Sequence, residues 1–372
     1  CGTGSVTLLP GDDIDRSLDE AALMAGLVNN EPYDFPEPAQ IPEVALADVQ
    51  FQSDPLGTID DILSQLKQIS SNYSDIRLTA AECFGEERTT HLVNSKNVDA
   101  SQVSTIFHLE WVFIAGEGDE EVESFAEIKR RRVEDFDLEA EVERRVRYTA
   151  DLITAGEPPS YQGAIVLRGK ALATAMTSML VEMRSSAEHK YKGETPWDIG
   201  QSIFTKEVEG DSLTLWANRQ LPYGVNSNRF DSEGIPAQRI ELIRDNELIA
   251  FTATKRFADY LNIPATGSFG NIEIASGTNS TESLLETPHI EISEFSWFNP
   301  SPITGEFACE IRLGYVVEDG RRIPFRGGML VGNLLDALAN VRWSSEIGFY
   351  GNYYGPTTAR FNELTVAGKG QL

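Results

Sequence analysis

Three carboxylates, Asp231, Glu233 and Glu241, lie around a Gly234-Ile235-Pro236 bend in the stretch "SNRFDSEGIPAQRIELIRDNELIAF", Ser227 to Phe251. Two carboxyl groups can divide acid and base work when their surroundings separate their pKa values. Asp231 and Glu233 stand two apart, which puts both side chains on one side of an extended segment. The same spacing also suits a turn, where short acidic side chains accept backbone hydrogen bonds. The turn is the simpler reading.

The other reactive residue types are sparse. The histidines are His91, His108, His189 and His289, and no two stand at the i, i+4 spacing that sets two imidazoles on one helical face. His189 lies in the charged stretch "EHKYKGE". Cys309 sits in "EFACEIRLG", whose alternation reads as a strand with a buried thiol. No GxSxG elbow is present. "RGGMLVGN", Arg326 to Asn333, is glycine-rich ahead of an apolar run, but it lacks the Gly-Lys-Ser/Thr ending of a phosphate loop. Close backbone packing explains its glycines better than anion binding.

These residues must be positioned by elements that periodicity outlines. The chain has 372 residues, with 41% hydrophobic and 24% charged, the composition of an ordinary globular protein of two or three domains. Helices are expected over 17–28, with Ser17 and Glu20 as a capping box, over 58–70, capped around Thr58 and Asp61, and over 137–154. Strands are expected over 75–84, 88–94, 101–115 and 121–131, the last two joined by the acidic loop "GEGDEE". After the Pro- and Gly-rich "AGEPPSYQG" come a short strand, 164–167, and a helix over 170–184 with an apolar stripe at Leu172, Met176, Met179, Leu180 and Met183. Beyond Ser212 the pattern is β, with a hairpin turning at Asp319-Gly320, a helix over 328–343 and a last strand. The fold class expected is α+β. Residues 1–45 are the tail of an N-terminal unit and a linker, 46–157 are helices packed on an antiparallel sheet, and 158–372 are a β-rich domain with a few helices.

The net charge is −27, from 31 basic and 58 acidic residues. Such a surface repels phosphates, so nucleic acid is not expected as a partner. No apolar run approaches the roughly 18 residues of a membrane span, and three unpaired cysteines fit a reducing cytoplasm.

The C-terminal half resembles the TldD/PmbA family, in which PmbA is also called TldE. "RFDSEGIPAQRIELIRDNELIAF" followed by "ATKRFADYLNIPATG" carries the likeness, with "TGSFGN", "ITGEF", "PFRGGMLVGNLLDAL" and "ARFNELTVAGKG" in the family's order. Upstream, "LVNSKNVDASQVST" is similar to the family's strand turn. In the TldD branch the resemblance implies a zinc site built from a helix bearing HExxxH and a late cysteine. The corresponding stretches here, "GKALATAMTSMLVEMRSSAEHK" and "SSEIGFYGNYYGPTTA", hold no histidine pair and no cysteine. The likeness is therefore to the PmbA/TldE branch. It implies a non-catalytic cytoplasmic subunit that pairs with a zinc-bearing TldD-like chain, or with itself, and handles unfolded peptide. Zinc is expected only in the partner.

No catalytic or metal-ligating residue is assigned. Asp231, Glu233, Arg239, His189 and Asn333 are the residues expected to face peptide or the interior of the assembly, beside strand edges around 238–251 and 312–325. The rival readings are a stand-alone homodimeric peptide-binding protein, an enzyme using Asp231 and Glu233, and a lipid-anchored protein modified at Cys1. The family's order of elements favours a chain that begins inside its first unit over lipidation. The family label "modulator of DNA gyrase" finds no support in the charge.

Overall fold

A computed structural model describes residues 2–118 and 121–369. Cys1, the two central acidic residues of the "GEGDEE" loop and the end of the last motif lie outside them.

The first helix, α1 (Ile14–Leu27), starts three residues earlier than the sequence suggests, because Asp13 rather than Ser17 accepts the first-turn amide, that of Arg16. Next come α2 (Val49–Ser53) and α3 (Pro55–Ser70). Asp54 caps α3 and Pro55 opens it, in place of the expected Thr58 and Asp61. The stripe itself is as expected: Ile62 and Leu66 are buried.

Three antiparallel strands follow, β1 (Ile76–Val93), β2 (Asp99–Ala115) and β3 (Val122–Arg130). The expected break between 84 and 88 does not occur, and two expected strands are one. A Cβ at Gly85 would press on the Phe51 ring and Ile59 Cδ1. The glycine is a place of close approach within the strand. Along β2 every second residue from Thr105 to Ala115 is buried. That face packs on α3 and α4 (Leu138–Thr154) around Phe107, Leu109, Trp111 and Val142.

The rest of the chain encloses one larger core with two sheets. The first contains β4 (Tyr161–Arg168), β9 (His289–Phe295), β10 (Glu306–Glu318), β11 (Arg321–Phe325), β12 (Met329–Asn333), β13 (Arg342–Trp343) and β16 (Thr358–Ala367). Its order is β11-β10-β12-β16-β4-β9, and β9 pairs again with β10, so the sheet closes on itself. Among the described residues β11 pairs within the sheet on one side alone, as does the two-residue β13; the open side of β11 is partly covered where Gly156 bridges Phe325. The second sheet contains β5 (Leu215–Asn218), β6 (Arg239–Arg244), β7 (Glu247–Leu248), β8 (Asn271–Ile274), β14 (Ile347–Tyr350) and β15 (Tyr353–Pro356), in the order β14-β15-β8-β5-β6-β7.

Small helices close the core: α5 (Lys170–Met176), α6 (Met179–Arg184), α7 (Ala187–Tyr191), α8 (Lys255–Leu261), α9 (Thr281–Leu284) and α10 (Leu334–Ala339). The single helix expected over 170–184 breaks at Thr177-Ser178, which re-phases its second half and leaves Met179 58% exposed. The helix expected over 328–343 is instead β12, α10 and β13. Gly327 and Gly328 hold φ of 82° and 76°, and Asn333 accepts the amides of Leu335 and Asp336, so the helix cannot start before Leu334. The Asp319-Gly320 hairpin is present, with both residues at positive φ. The architecture is α+β.

Arg131 ties the first unit to the second. It is buried, and its guanidinium donates to the carbonyls of Thr105, Gly224, Val225 and Ser227. Among the described residues no helix is long and apolar enough to cross a membrane.

Candidate functional site

The "FDSEGIP" bend is a tight turn whose carboxylates point inward. Asp231 is buried, and its Oδ1 accepts the amides of Glu233 and Ile235, each at 3.0 Å. Its Oδ2 accepts the Ser268 amide at 3.1 Å, which joins the bend to "TGSFGN". Between the two motifs lies Arg219, fully buried, donating to the Asn228 side chain and to the carbonyls of Ile235, Pro236 and Thr266. Burial pulls its guanidinium below the ordinary range, opposed by Asp231 at 4.0 Å. Gly267 has φ +84°, and a Cβ there would strike Arg219 Nη2 and lie 2.7 Å from Asp231 Oδ2. Only glycine fits.

Gly234, at φ +92°, faces Leu92 and Val98 of the β1–β2 turn, where Val98, Ala100 and Phe230 form a small apolar cluster. Three motif blocks far apart in the chain therefore meet at one point. Glu233 Oε2 accepts the Lys255 amide at 2.6 Å, capping α8, and burial raises its carboxyl above the ordinary range.

The remaining nominated residues have separate partners. Arg239 makes a two-point ion pair with Glu273, at 2.8 and 2.7 Å, over the Trp216 ring. His189 Nδ1 lies 2.6 Å from Glu194. Asn333 caps α10, donates to the Thr304 carbonyl and lines a cavity of about 550 Å3 with Arg184, Trp197 and Asp336. Of the five, only Asp231 and Glu233 are brought together.

A highly charged cavity was not foreseen. It measures about 510 Å3 and lies where α4, the end of β4 and the start of α5 face β9, β10 and β11. Arg145, on α4, is 8% exposed; it donates to Glu294 Oε2 at 2.5 Å and to the Phe125 carbonyl, and it stacks on Tyr148. The Tyr315 hydroxyl donates to Asp151 at 2.7 Å beneath the Arg322 guanidinium, which donates to Glu291 at 3.0 Å. Arg168 and Lys170 flank Gly169, opposite Tyr350. Burial lowers the Lys170 ammonium from its ordinary range, with Glu294 opposing that effect. A sequence signal existed: "ERRVRY" and "LRGK" are dense in base within an acidic chain. Nothing local says that they face each other.

Residues 161–368 match the PmbA/TldA metallopeptidase C-terminal domain, more than half of the chain. The chain belongs to the PmbA/TldD family. An uncharacterised protein of Methanocaldococcus jannaschii is 26% identical over 257 residues, covering 66% of this chain and 59% of that protein. The metalloprotease PmbA of Escherichia coli O157:H7 is 30% identical over 142 residues, 37% of this chain and 31% of that protein. The matches thus span less than two thirds of these curated relatives. The crystal structure of TldE from Thermococcus kodakarensis superposes with a TM-score of 0.81 at 18% identity, covering 98% of this chain and 87% of that one. A putative modulator of DNA gyrase from Thermotoga maritima gives 0.79, also at 18% identity, covering 98% and 86%. At these identities the likeness speaks for the fold.

The PmbA/TldD resemblance places a zinc site, where one exists, on the α5–α7 stretch and the late segment. That stretch holds one histidine, His189, engaged with Glu194, and β14 and β15 carry no cysteine. Cys309 is buried in β10, and the Cys83 thiol on β1 is pushed up to about 11 by burial. These residues do not fit a site of two imidazoles and a thiolate. Among the described residues one group of three donors is close enough to share an ion: His108, Glu110 and Glu127. The His108 Nε2 lies 2.9 Å from Glu110 and 3.1 Å from Glu127, an arrangement that hydrogen bonding alone sustains.

Proposed function

We propose that this chain is a TldE-like, non-catalytic subunit of a cytoplasmic TldD/TldE-type peptidase, binding unfolded peptide for a zinc-bearing partner. One contrast carries the reading. The family's motif blocks converge intact on the Arg219–Asp231 turn, so the scaffold is kept. The stretches that would supply zinc ligands hold a single histidine and no cysteine, short of the required set. The peptide's backbone is read by strand addition, for which the open side of β11 offers unpaired groups. Asp231 and Glu233, spent on backbone amides, serve the scaffold.

The purified full chain, metal-analysed and assayed on a denatured protein substrate, is expected to hold no stoichiometric zinc and to hydrolyse nothing. Co-expressed with an HExxxH-bearing paralogue from the same genome, it is expected to co-purify and to raise that chain's peptidase rate. Stoichiometric zinc with activity in the lone chain overturns the proposal. A lone homodimer that ignores the paralogue overturns the partner assignment and leaves the stand-alone binding protein.

A further inference from the structure

The cavity between α4 and the closed sheet has chemistry that the scaffold does not use up. Six cationic and five acidic side chains line it, an excess of one positive charge in a chain of net −27. Three pair directly: Arg145 with Glu294, Arg322 with Glu291, and Arg144 with Glu141. Arg147 is largely exposed and stands 3.6 Å from Glu143, which is outside the lining. The other two face the lining acids without bonding them. Lys170 Nζ stands 3.9 Å from Glu294, and an Arg168 nitrogen stands 3.7 Å from Glu291. Both exceed hydrogen-bond reach, because each carboxylate is drawn to the arginine that already holds it. The two cations lie two residues apart, at the end of β4 and the start of α5, and both line the cavity.

We infer that Arg168 and Lys170 form a recognition site for one carboxylate of a peptide. The inference rests on the peptide-binding reading above and names what that peptide must carry. An excess of one positive charge matches a carboxylate better than a phosphate. Glu291 and Glu294, close by, oppose the second negative charge that phosphate carries near neutral pH. The volume, about 510 Å3, accommodates the end of a peptide rather than an ion alone. The carboxylate comes either from the peptide's C-terminus or from an acidic side chain.

The test uses the full chain and three fluorescein-labelled alanine-rich hexapeptides, read by anisotropy. One ends in a free acid, one is its amide, and one is the amide with an internal glutamate. At least one carboxylate peptide is expected to bind about tenfold tighter than the plain amide, the scale of a charge-assisted hydrogen bond. A free-acid preference identifies the C-terminus, and a glutamate preference identifies the side chain. Lys170→Met is expected to abolish the preference, and Lys170→Arg to retain it. Arg168→Gln is the second variant and should act in the same direction. Equal binding of all three peptides overturns the carboxylate site and leaves peptide binding standing. Binding of none overturns the peptide-binding reading and this inference with it. Displacement by inorganic phosphate at lower concentration than by acetate also overturns it.

Discussion

Two places in this molecule gather arginines and carboxylates, and they are built differently. Around Arg219 the guanidinium donates to three carbonyls and one amide oxygen, Asp231 accepts three backbone amides, and Gly267 lets the chain close over both. Around Arg145 the cations are matched mainly to acids, the space stays open, and Arg168 and Lys170 stop short of their carboxylates. Each arginine leaves a buried Nε unpaired, so that feature does not tell the two apart. The difference lies in whether a side chain's charge is met by backbone or by another side chain. Backbone partners have no alternative use and fix geometry. Side-chain partners can be exchanged for a ligand's.

The comparison predicts a ranking of mutational effects. Arg219→Ala should be most damaging, costing about 3–5 kcal/mol by leaving Asp231 buried without its counter-charge. Urea unfolding measures this, and a loss under 1 kcal/mol would remove the distinction drawn here. Gly267→Ala should cost about 1–3 kcal/mol from positive φ alone, and more if Arg219 cannot shift. Its denaturation midpoint should fall well below that of Gly320→Ala, where φ is also positive but space is open.

On the cavity side, Lys170→Met should alter stability by no more than about 0.5 kcal/mol, as expected of a partly exposed group with no close partner. A large loss would make the cavity another piece of scaffold. The smallest effect is pH-dependent. The Glu233 carboxyl titrates above its ordinary 4.5 in the folded state, so the folded chain binds more protons than the unfolded one in that window. Stability attributable to Glu233 should therefore fall as pH rises from about 4.5 through the raised value. Glu233→Gln, compared with the parent by thermal unfolding across pH 4 to 7, should flatten that slope. An unchanged slope would mean that Glu233 is not the buried group described.

Legibility from sequence followed the range of the interactions. The hairpin at Asp319-Gly320 and the helix over 138–154 are set by neighbouring residues and were readable. The strands expected over 75–84 and 88–94 are one, and the stretch between them holds Gly85, whose missing side chain admits the Phe51 ring from a helix far back in the chain. The helix expected over 328–343 failed because its apolar residues suit a three-stranded pairing as well as a helical face. The bend at Asp231 was conspicuous, but its meaning depended on Arg219, Gly267 and the β1–β2 turn, all distant in the chain. Family order caught the blocks without revealing that they touch. The cavity was illegible because its walls come from α4, β4, β9, β10 and β11, and only folding places their charges face to face.

Arg131, with its four carbonyl partners, has a consequence for kinetics. It pins the first unit to the second on one side, while the Arg145–Glu294 pair and the Tyr315–Asp151 bond pin them on another. Two separated fastenings oppose hinge opening, so the cavity's walls are in place before anything enters. Ligand capture should then be a single bimolecular step, with an observed rate rising linearly with ligand concentration and no plateau from a slow opening.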